Sequence, residues 1–456
     1  MKKLEKRAVI CVFFILILVV GTGIYIGKQV IYGHQWATYP ANSHIFHNRR
    51  LNTGKIIDRK GVVLLENKSD TGPEFSRRAS IANANLHITG DGSGNIATGA
   101  NNILRDKLVG YNFFTGVHSF GGKGRIVKLT VDAKANAIAN DALNGKRGTV
   151  GVYNYKTGEL LCMVSSPNYN PANPPVFSKN DTSGAYINRL TSTLFVPGSI
   201  MKILTAHAAL ENLKNPFSWR SVCSGLTIIN NNSQNKITCS RGHGSVSLKE
   251  ALAQSCNCAF GKLTNQLGPE IMTKYVKKAG LTSSYDLDGI STARGKFDFY
   301  TNAYERAWSG VGQGKDLINP FSMMVYMGSI ANGGECSLPF MVKQVSFYNG
   351  IPAGFEQEGE TVDLIDSDTA KILRSYMRNN VKTTYGAENF PGLKIYAKSG
   401  TAQVYKNKMP NGWFTGFLKD TKHPFAFIVL VEEGGDGKNS AGRVANTVLQ
   451  YLTRQK

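Results

Sequence analysis

Ser199 and Lys202 stand three residues apart in Phe195-Val196-Pro197-Gly198-Ser199-Ile200-Met201-Lys202. A serine hydroxyl is a poor nucleophile until a base takes its proton. A lysine whose ammonium is desolvated or crowded by other cations can be that base. Apolar residues at Met201, Leu204, Ala208, Leu210 and Leu213 follow at helical spacing, directly after a Pro-Gly break. The spacing predicts a helix that starts at Ser199 and puts Ser199 and Lys202 on one face. The unpaired N–H groups and dipole at that end favour a developing anion. The four-residue pattern alone decides nothing, because Ser233-Gln234-Asn235-Lys236 repeats it in a polar stretch that reads as a loop with no helix behind it. Two further boxes separate them. Ser255-Cys256-Asn257 closes the amphipathic stretch SLKEALAQ, and Lys398-Ser399-Gly400-Thr401-Ala402-Gln403 lies inside a strand-like segment. Lys156-Thr157-Gly158 spells a similar box, but it precedes Ser199 and falls in a turn between two β-rich runs.

Cysteines crowd the second box. Cys223, Cys239, Cys256 and Cys258 fall within 36 residues, and His243 is four after Cys239. Cys223, Cys239 and His243, with Cys256 as the fourth ligand or Cys258 in its place, can close a structural zinc site. An oxidising exterior instead favours a Cys223–Cys239 disulfide, inert thiols are a third reading, and His243 alone reads as a turn residue. Cys162 and Cys336 read as structural.

The elements that must position these boxes are legible as patterns. GKIIDRKGVVLL (Gly54–Leu65) reads as a hairpin around Asp-Arg-Lys-Gly, Gly90–Asn95 as a flexible loop, and Ala133–Leu143 as an Ala-rich helix. Gly148–Val164 reads as a second hairpin. LKIYAKSGTAQVY, WFTGFL and PFAFIVLVE read as three strands whose short connections make them antiparallel, followed by a helix over Ser440–Leu452. Between hairpin and strands lie roughly 220 residues of mainly helical periodicity. The expected fold is α/β of the α+β type: an antiparallel five-stranded sheet flanked by helices, with an all-helical lobe inserted.

The three boxes together, Ser-x-x-Lys, Ser-x-Asn and Lys-Ser-Gly-Thr, resemble those of class B penicillin-binding proteins, membrane-anchored peptidoglycan D,D-transpeptidases. The first hairpin, LTVDAKANAIANDAL, GTVGVYNYKTGELLCMVSSPNYNPAN and WFTGF extend the resemblance over most of the chain. Asn154 and Asn136 stand where the family often has Asp and Gln. The resemblance implies that Ser199 attacks the carbonyl between the last two D-alanines of a stem peptide, with Lys202 as base. Ser255 and Asn257 relay the proton to the leaving D-Ala and hold the substrate amide. Lys398 supplies positive charge and attracts the terminal carboxylate, assisted by Ser399, Gly400 and Thr401 of its box; the N–H groups of Ser199 and Thr401 form the oxyanion hole. It also implies that β-lactams acylate Ser199, and that strand polymerisation falls to a polytopic membrane glycosyltransferase partner, because no such domain fits before Ser199. A D,D-carboxypeptidase, a serine β-lactamase, a β-lactam sensor and an idle wall-synthesis scaffold share part of this pattern. No glutamate box for deacylating water follows Ser255, and no bundle of spans accompanies a sensor.

Compartment and partners follow from charge. The 456 residues carry 53 Lys+Arg against 31 Asp+Glu, a net charge of +22, and a 42% hydrophobic content that excludes global disorder. Residues 1–7 hold Lys2, Lys3, Lys6 and Arg7, then residues 8–27 run uncharged for twenty residues, enough to span a bilayer. The basic head predicts a cytoplasmic N-terminus and an uncleaved single-pass anchor. The outward part divides into a pedestal, residues 28–140, and a transpeptidase domain, residues 141–456. Its positive charge suits an anionic wall or lipid headgroups, and the location excludes nucleic acid as the expected ligand.

Overall fold

The computed structural model describes residues 2–37, 54–68, 71–112, 116–117, 124–178, 180–404 and 407–455. Tyr405, the end of one expected strand, and most of the polar stretch after the anchor lie outside them.

Helix α1 (Lys2–Ala37) contains the apolar run, and its Lys2–Gly33 portion is long and apolar enough to cross a membrane. The expected first hairpin forms as β1 (Gly54–Ile57) and β2 (Val63–Lys68), paired antiparallel, with Asp58 Oδ1 accepting the N–H groups of Lys60 and Val62 to close the turn. Strand β3 (Gly72–Phe75) pairs with β2, short helical turns between Ala79 and Val109 cover the sheet, and β4 (Arg125–Leu129) lies parallel to β1. Helix α2 (Ala133–Leu143) begins where Asp132 accepts from Lys134 and Ala135 N–H, and ends at Asn144 in the left-handed region.

The central sheet starts with the hairpin β5 (Gly148–Asn154) and β6 (Leu160–Ser166). The inserted lobe carries α3 (Lys202–Asn212), preceded by a 3₁₀ turn over Gly198–Met201. It then differs from the all-helical expectation. Short ribbons β7 (Arg220–Cys223), β8 (Leu226–Ile229), β9 (Asn232–Thr238) and β10 (Gly244–Ser247) precede α4 (Leu248–Ala253) and α5 (Asn257–Lys278). Three of these ribbons have four residues each, and the seven-residue β9 is polar along most of its length, so none gives a clear strand pattern in sequence. The Ser233–Lys236 repeat lies on β9, an exposed strand rather than a loop.

Helices α6 (Ala303–Val311), α7 (Pro320–Asn332) and α8 (Ser367–Asn380) complete the lobe. Between α7 and α8, β11 (Val342–Phe347) and β12 (Pro352–Glu356) leave the lobe and join the pedestal sheet, whose order is β12-β11-β4-β1-β2-β3. The pedestal sheet therefore draws strands from both sides of residue 140 in sequence. The last strands, β13 (Ile395–Ala402), β14 (Asn411–Leu418) and β15 (Phe425–Val431), close the antiparallel five-stranded sheet β13-β14-β15-β5-β6, and α9 (Ala441–Thr453) ends the chain.

Both faces of that sheet are buried, which explains the unbroken apolar run of β15. Phe425, Phe427, Val429 and Val431 face α2 and α9, while Ala426, Ile428 and Leu430 face the core shared with α7. Strand β13 is left at one edge, beside the lobe.

Candidate active site

The Gly198–Met201 turn that carries Ser199 sits directly on the edge strand. Gly198 has φ +59, and a Cβ there would lie 2.8 Å from Thr401 O, so a side chain would push the turn off β13. Behind the turn, Gly198 N–H donates to Gly312 O at 2.7 Å. Ser199, Lys202, Ser255, Asn257 and Lys398 meet here. Lys202 Nζ lies 2.6 Å from Ser199 Oγ, 2.7 Å from Asn257 Oδ1 and 3.3 Å from Ser255 Oγ. Lys398 Nζ lies 3.2 Å from the same Ser255 Oγ and donates to Ser399 O at 2.8 Å. A continuous chain of polar atoms thus joins Ser199 to Lys398 through Lys202 and Ser255.

Both lysines are fully buried. Burial, and then the nearby charge of Lys398, push the Lys202 ammonium well below its ordinary range. Burial also lowers Lys398, to about 7. A neutral Lys202 has a lone pair for the Ser199 proton, while Lys398 is poised to carry charge near neutral pH. Ser255 sits at φ +55 between α4 and α5, a strained position held because Cys256 N–H donates to Ala251 O and the Asn257 side chain donates to Thr238 O at 2.8 Å.

Two residues the sequence did not single out hold this geometry from the side. Residues Val381–Tyr385 form a π-helical turn at the end of α8. Tyr385 Oη accepts the Ser399 N–H at 2.8 Å, and Thr384 Oγ1 donates to Ala253 O at 2.9 Å, so one turn spans the Lys398 strand and the Ser255 loop. Nothing in their spacing marks them. Ser199, Ser255, Asn257, Lys398, Ser399 and Thr401 line one cleft of about 1160 Å³. Gly400 lies beneath Ser199, where a Cβ would meet Pro197 O at 3.1 Å.

The cysteines converge beside it. The ligand atoms of Cys223, Cys239, His243 and Cys256 all lie within 4.8 Å of one another. Sulfurs bound tetrahedrally to zinc at about 2.3 Å stand about 3.8 Å apart. Here Cys223–Cys239 is 3.7 Å, Cys239–Cys256 is 3.8 Å, and Cys223 Sγ to His243 Nδ1 is 3.4 Å. The donor set fits zinc, and the thiols are not joined as a disulfide. Contacts with Cys256 and Cys258 hold the Cys239 thiol far below its ordinary value. Cys258 is 3.6 Å from Cys239 but turns its sulfur toward Ile237 O, outside the group of four. Cys256 also caps α5 by accepting from Ala259 N–H, so the cluster is built into the Ser255–Asn257 turn. Cys162 and Cys336 are buried away from it.

The chain is similar to known proteins in sequence and in fold. Residues 148–450 match the family described as penicillin binding protein transpeptidase domain. The peptidoglycan D,D-transpeptidase PbpA of Mycolicibacterium smegmatis is 26% identical over 353 residues, covering 73% of this chain and 71% of the relative. The peptidoglycan D,D-transpeptidase MrdA of Acinetobacter baumannii is 24% identical over 372 residues; this chain spans 73% of its own length but about half (55%) of that relative. In structure, the penicillin G acyl-enzyme complex of penicillin-binding protein A from M. tuberculosis superimposes with a TM-score of 0.73 at 20% identity, over 88% of this chain and 100% of that one.

Proposed function

Because the chain belongs to the penicillin-binding protein transpeptidase family, we propose that it is a peptidoglycan D,D-transpeptidase that works through an acyl-enzyme on Ser199. The observation that carries this reading is the buried, deprotonation-prone Lys202, 2.6 Å from Ser199 Oγ and linked through Ser255 to Lys398. Ser199 Oγ attacks the carbonyl between the two terminal D-alanines of a donor stem peptide while Lys202 Nζ takes its proton. The oxyanion forms between the N–H groups of Ser199 and Thr401, and Lys398 attracts the terminal carboxylate. As the C–N bond breaks, the proton passes from Lys202 through Ser255 to the leaving D-Ala amine. An amine of a neighbouring strand then attacks the ester, gives its proton back along the same path and regenerates Ser199. β-Lactams acylate Ser199 as mimics of the donor.

Cys223, Cys239, His243 and Cys256 hold a structural zinc in this reading, supported by the separations of their ligand atoms. The metal supplies no chemistry to the reaction; its ligands fix the turn that carries Ser255 and Asn257. Helix α1 anchors the protein with its N-terminus in the cytoplasm and the catalytic domain outside, as its basic head favours. Strand polymerisation is left to a polytopic glycosyltransferase partner.

Intact-mass measurement of the full chain in detergent after incubation with benzylpenicillin tests the reading. A lasting adduct that disappears in Ser199→Ala supports it. Rapid drug turnover would make the protein a β-lactamase, and an unmodified wild type would leave it a scaffold.

A further inference from the structure

The cleft edge of β13 is already occupied. Every residue of β13 lies opposite one of β14, but along an antiparallel ladder only alternate residues turn their backbone groups to the partner strand, and at Ala397, Ser399 and Thr401 the carbonyls accept from side chains on the other side. The odd-numbered residues of β13 therefore turn their backbone groups toward the cleft. At Ser399 both groups are taken, the N–H by Tyr385 and the carbonyl by Lys398. Two residues on, the Gln313 carboxamide takes over: its Nε2 donates to Thr401 O at 3.0 Å, and its Oε1 accepts the Gln403 N–H at 3.2 Å. One side chain thus makes the pair of hydrogen bonds that a neighbouring strand would make.

This coincides with where the acyl donor must lie. In an antiparallel ladder, a residue opposite Thr401 exchanges both bonds with it, its carbonyl facing the Thr401 N–H and its N–H facing the Thr401 carbonyl. If the reacting carbonyl occupies the oxyanion hole, the N–H of the same donor residue is aimed at the oxygen that Gln313 holds. The preceding donor residues, running antiparallel, head for Gln403, the second group that Gln313 holds. We propose that the Gln313 carboxamide stands in for the donor backbone, capping the open edge of β13 in the resting enzyme and leaving when the donor's own amide arrives. An uncapped edge next to a wide cleft would otherwise offer itself to any extended chain. Gln313 is built to leave without disturbing the catalytic turn. It lies between Gly312 (φ +94) and Gly314 (φ +96), and the loop is fastened through Gly312 O to Gly198 N–H, not through the side chain.

The proposal rests on the transpeptidase reading and deepens it, since it makes Gln313 a specificity-determining residue for donors that bear an amide at this position. The test compares second-order rate constants for acylation of Ser199 in the full chain by benzylpenicillin, which has an acylamino side chain, and by penicillanic acid, which has only hydrogen at that carbon and no N–H to offer Thr401 O. In Gln313→Ala, acylation by benzylpenicillin should rise about fivefold, the worth of one net hydrogen bond, while acylation by penicillanic acid stays unchanged. Gln313→Glu, which can still accept from Gln403 but cannot donate to Thr401 O, should show the same split and covers the case in which the alanine variant fails to fold. An equal fall with both compounds would make Gln313 a tie that shapes the oxyanion hole and overturn the proposal, as would no change with either. A wild type that neither compound acylates overturns the transpeptidase reading itself.

Discussion

In the proposed mechanism Lys202 shows how placement converts a common residue into a base. Its stem is buried against the core of α3 and its Nζ meets Ser199, Ser255 and Asn257, with no carboxylate among these partners to favour the charged form. Burial acts first and the charge of Lys398 second, both in the same direction. The sign for catalysis follows. In that mechanism acylation needs Lys202 neutral, so the rate is expected to rise as pH climbs through its lowered pKa. It needs Lys398 charged, so the rate falls as pH passes about 7, where Lys398 loses its proton. We expect a bell-shaped pH profile for acylation by benzylpenicillin, and a Lys398→Ala variant whose profile has lost its alkaline limb. Lys202→Ala should lower the acylation rate by about 10²–10⁴-fold, the usual worth of a positioned general base, with the fold intact by circular dichroism.

At the scale of elements, the site is a junction of a turn, a loop and an edge strand, each held by close backbone contact. Gly312 ends α6 in the left-handed region, and a Cβ there would lie 1.9 Å from Gly198 O. Gly312→Ala should cost about 1–3 kcal/mol from backbone strain alone, and more from the clash. The expected result is a lower denaturant midpoint together with slower acylation, because the displaced partner is the turn that carries Ser199. The π-helical turn at Val381–Tyr385 works from the other side. Its Tyr385 ring packs edge-on against Phe414 while its hydroxyl holds Ser399. The Ser-x-x-Lys repeat at Ser233–Lys236 shows the opposite case, the same residue types on an exposed ribbon with no catalytic partners around them.

Across the whole molecule, the pedestal and catalytic domains share strands, because β11 and β12 leave the lobe to complete the six-stranded sheet. Thr130 strengthens the junction, its hydroxyl lying within hydrogen-bonding distance of the carbonyls of Leu160 and Phe340. The cysteine and histidine cluster ties β7, β10 and the start of α5 together where the lobe approaches the cleft. Purified protein should contain one zinc per chain by elemental analysis. Chelation, or Cys239→Ser, should lower the melting temperature and slow acylation, because removing the metal releases the Ser255–Asn257 turn. A metal-free preparation with an unchanged melting temperature would remove zinc from the account.

The sequence by itself determined the three boxes, the anchor, the two N-terminal hairpins, α2 and the antiparallel strands at the C-terminus. Each is a local signal: a period of two or of 3.6, a Pro-Gly break, a polar turn between apolar runs. It also placed the zinc-ligand candidates Cys223, Cys239 and His243, with Cys256 or Cys258 as the fourth, since ligand chemistry is legible in residue type. Only the tertiary structure decided which of Cys256 and Cys258 faces the cluster, that β11 and β12 belong to the pedestal sheet, and that Tyr385, Thr384 and Gln313 reach the cleft edge. Those facts depend on side-chain direction and on contacts between residues tens to hundreds of positions apart, such as Gln313 and Thr401. No local pattern encodes them. They are fixed when the chain closes on itself and each buried polar group must find a partner.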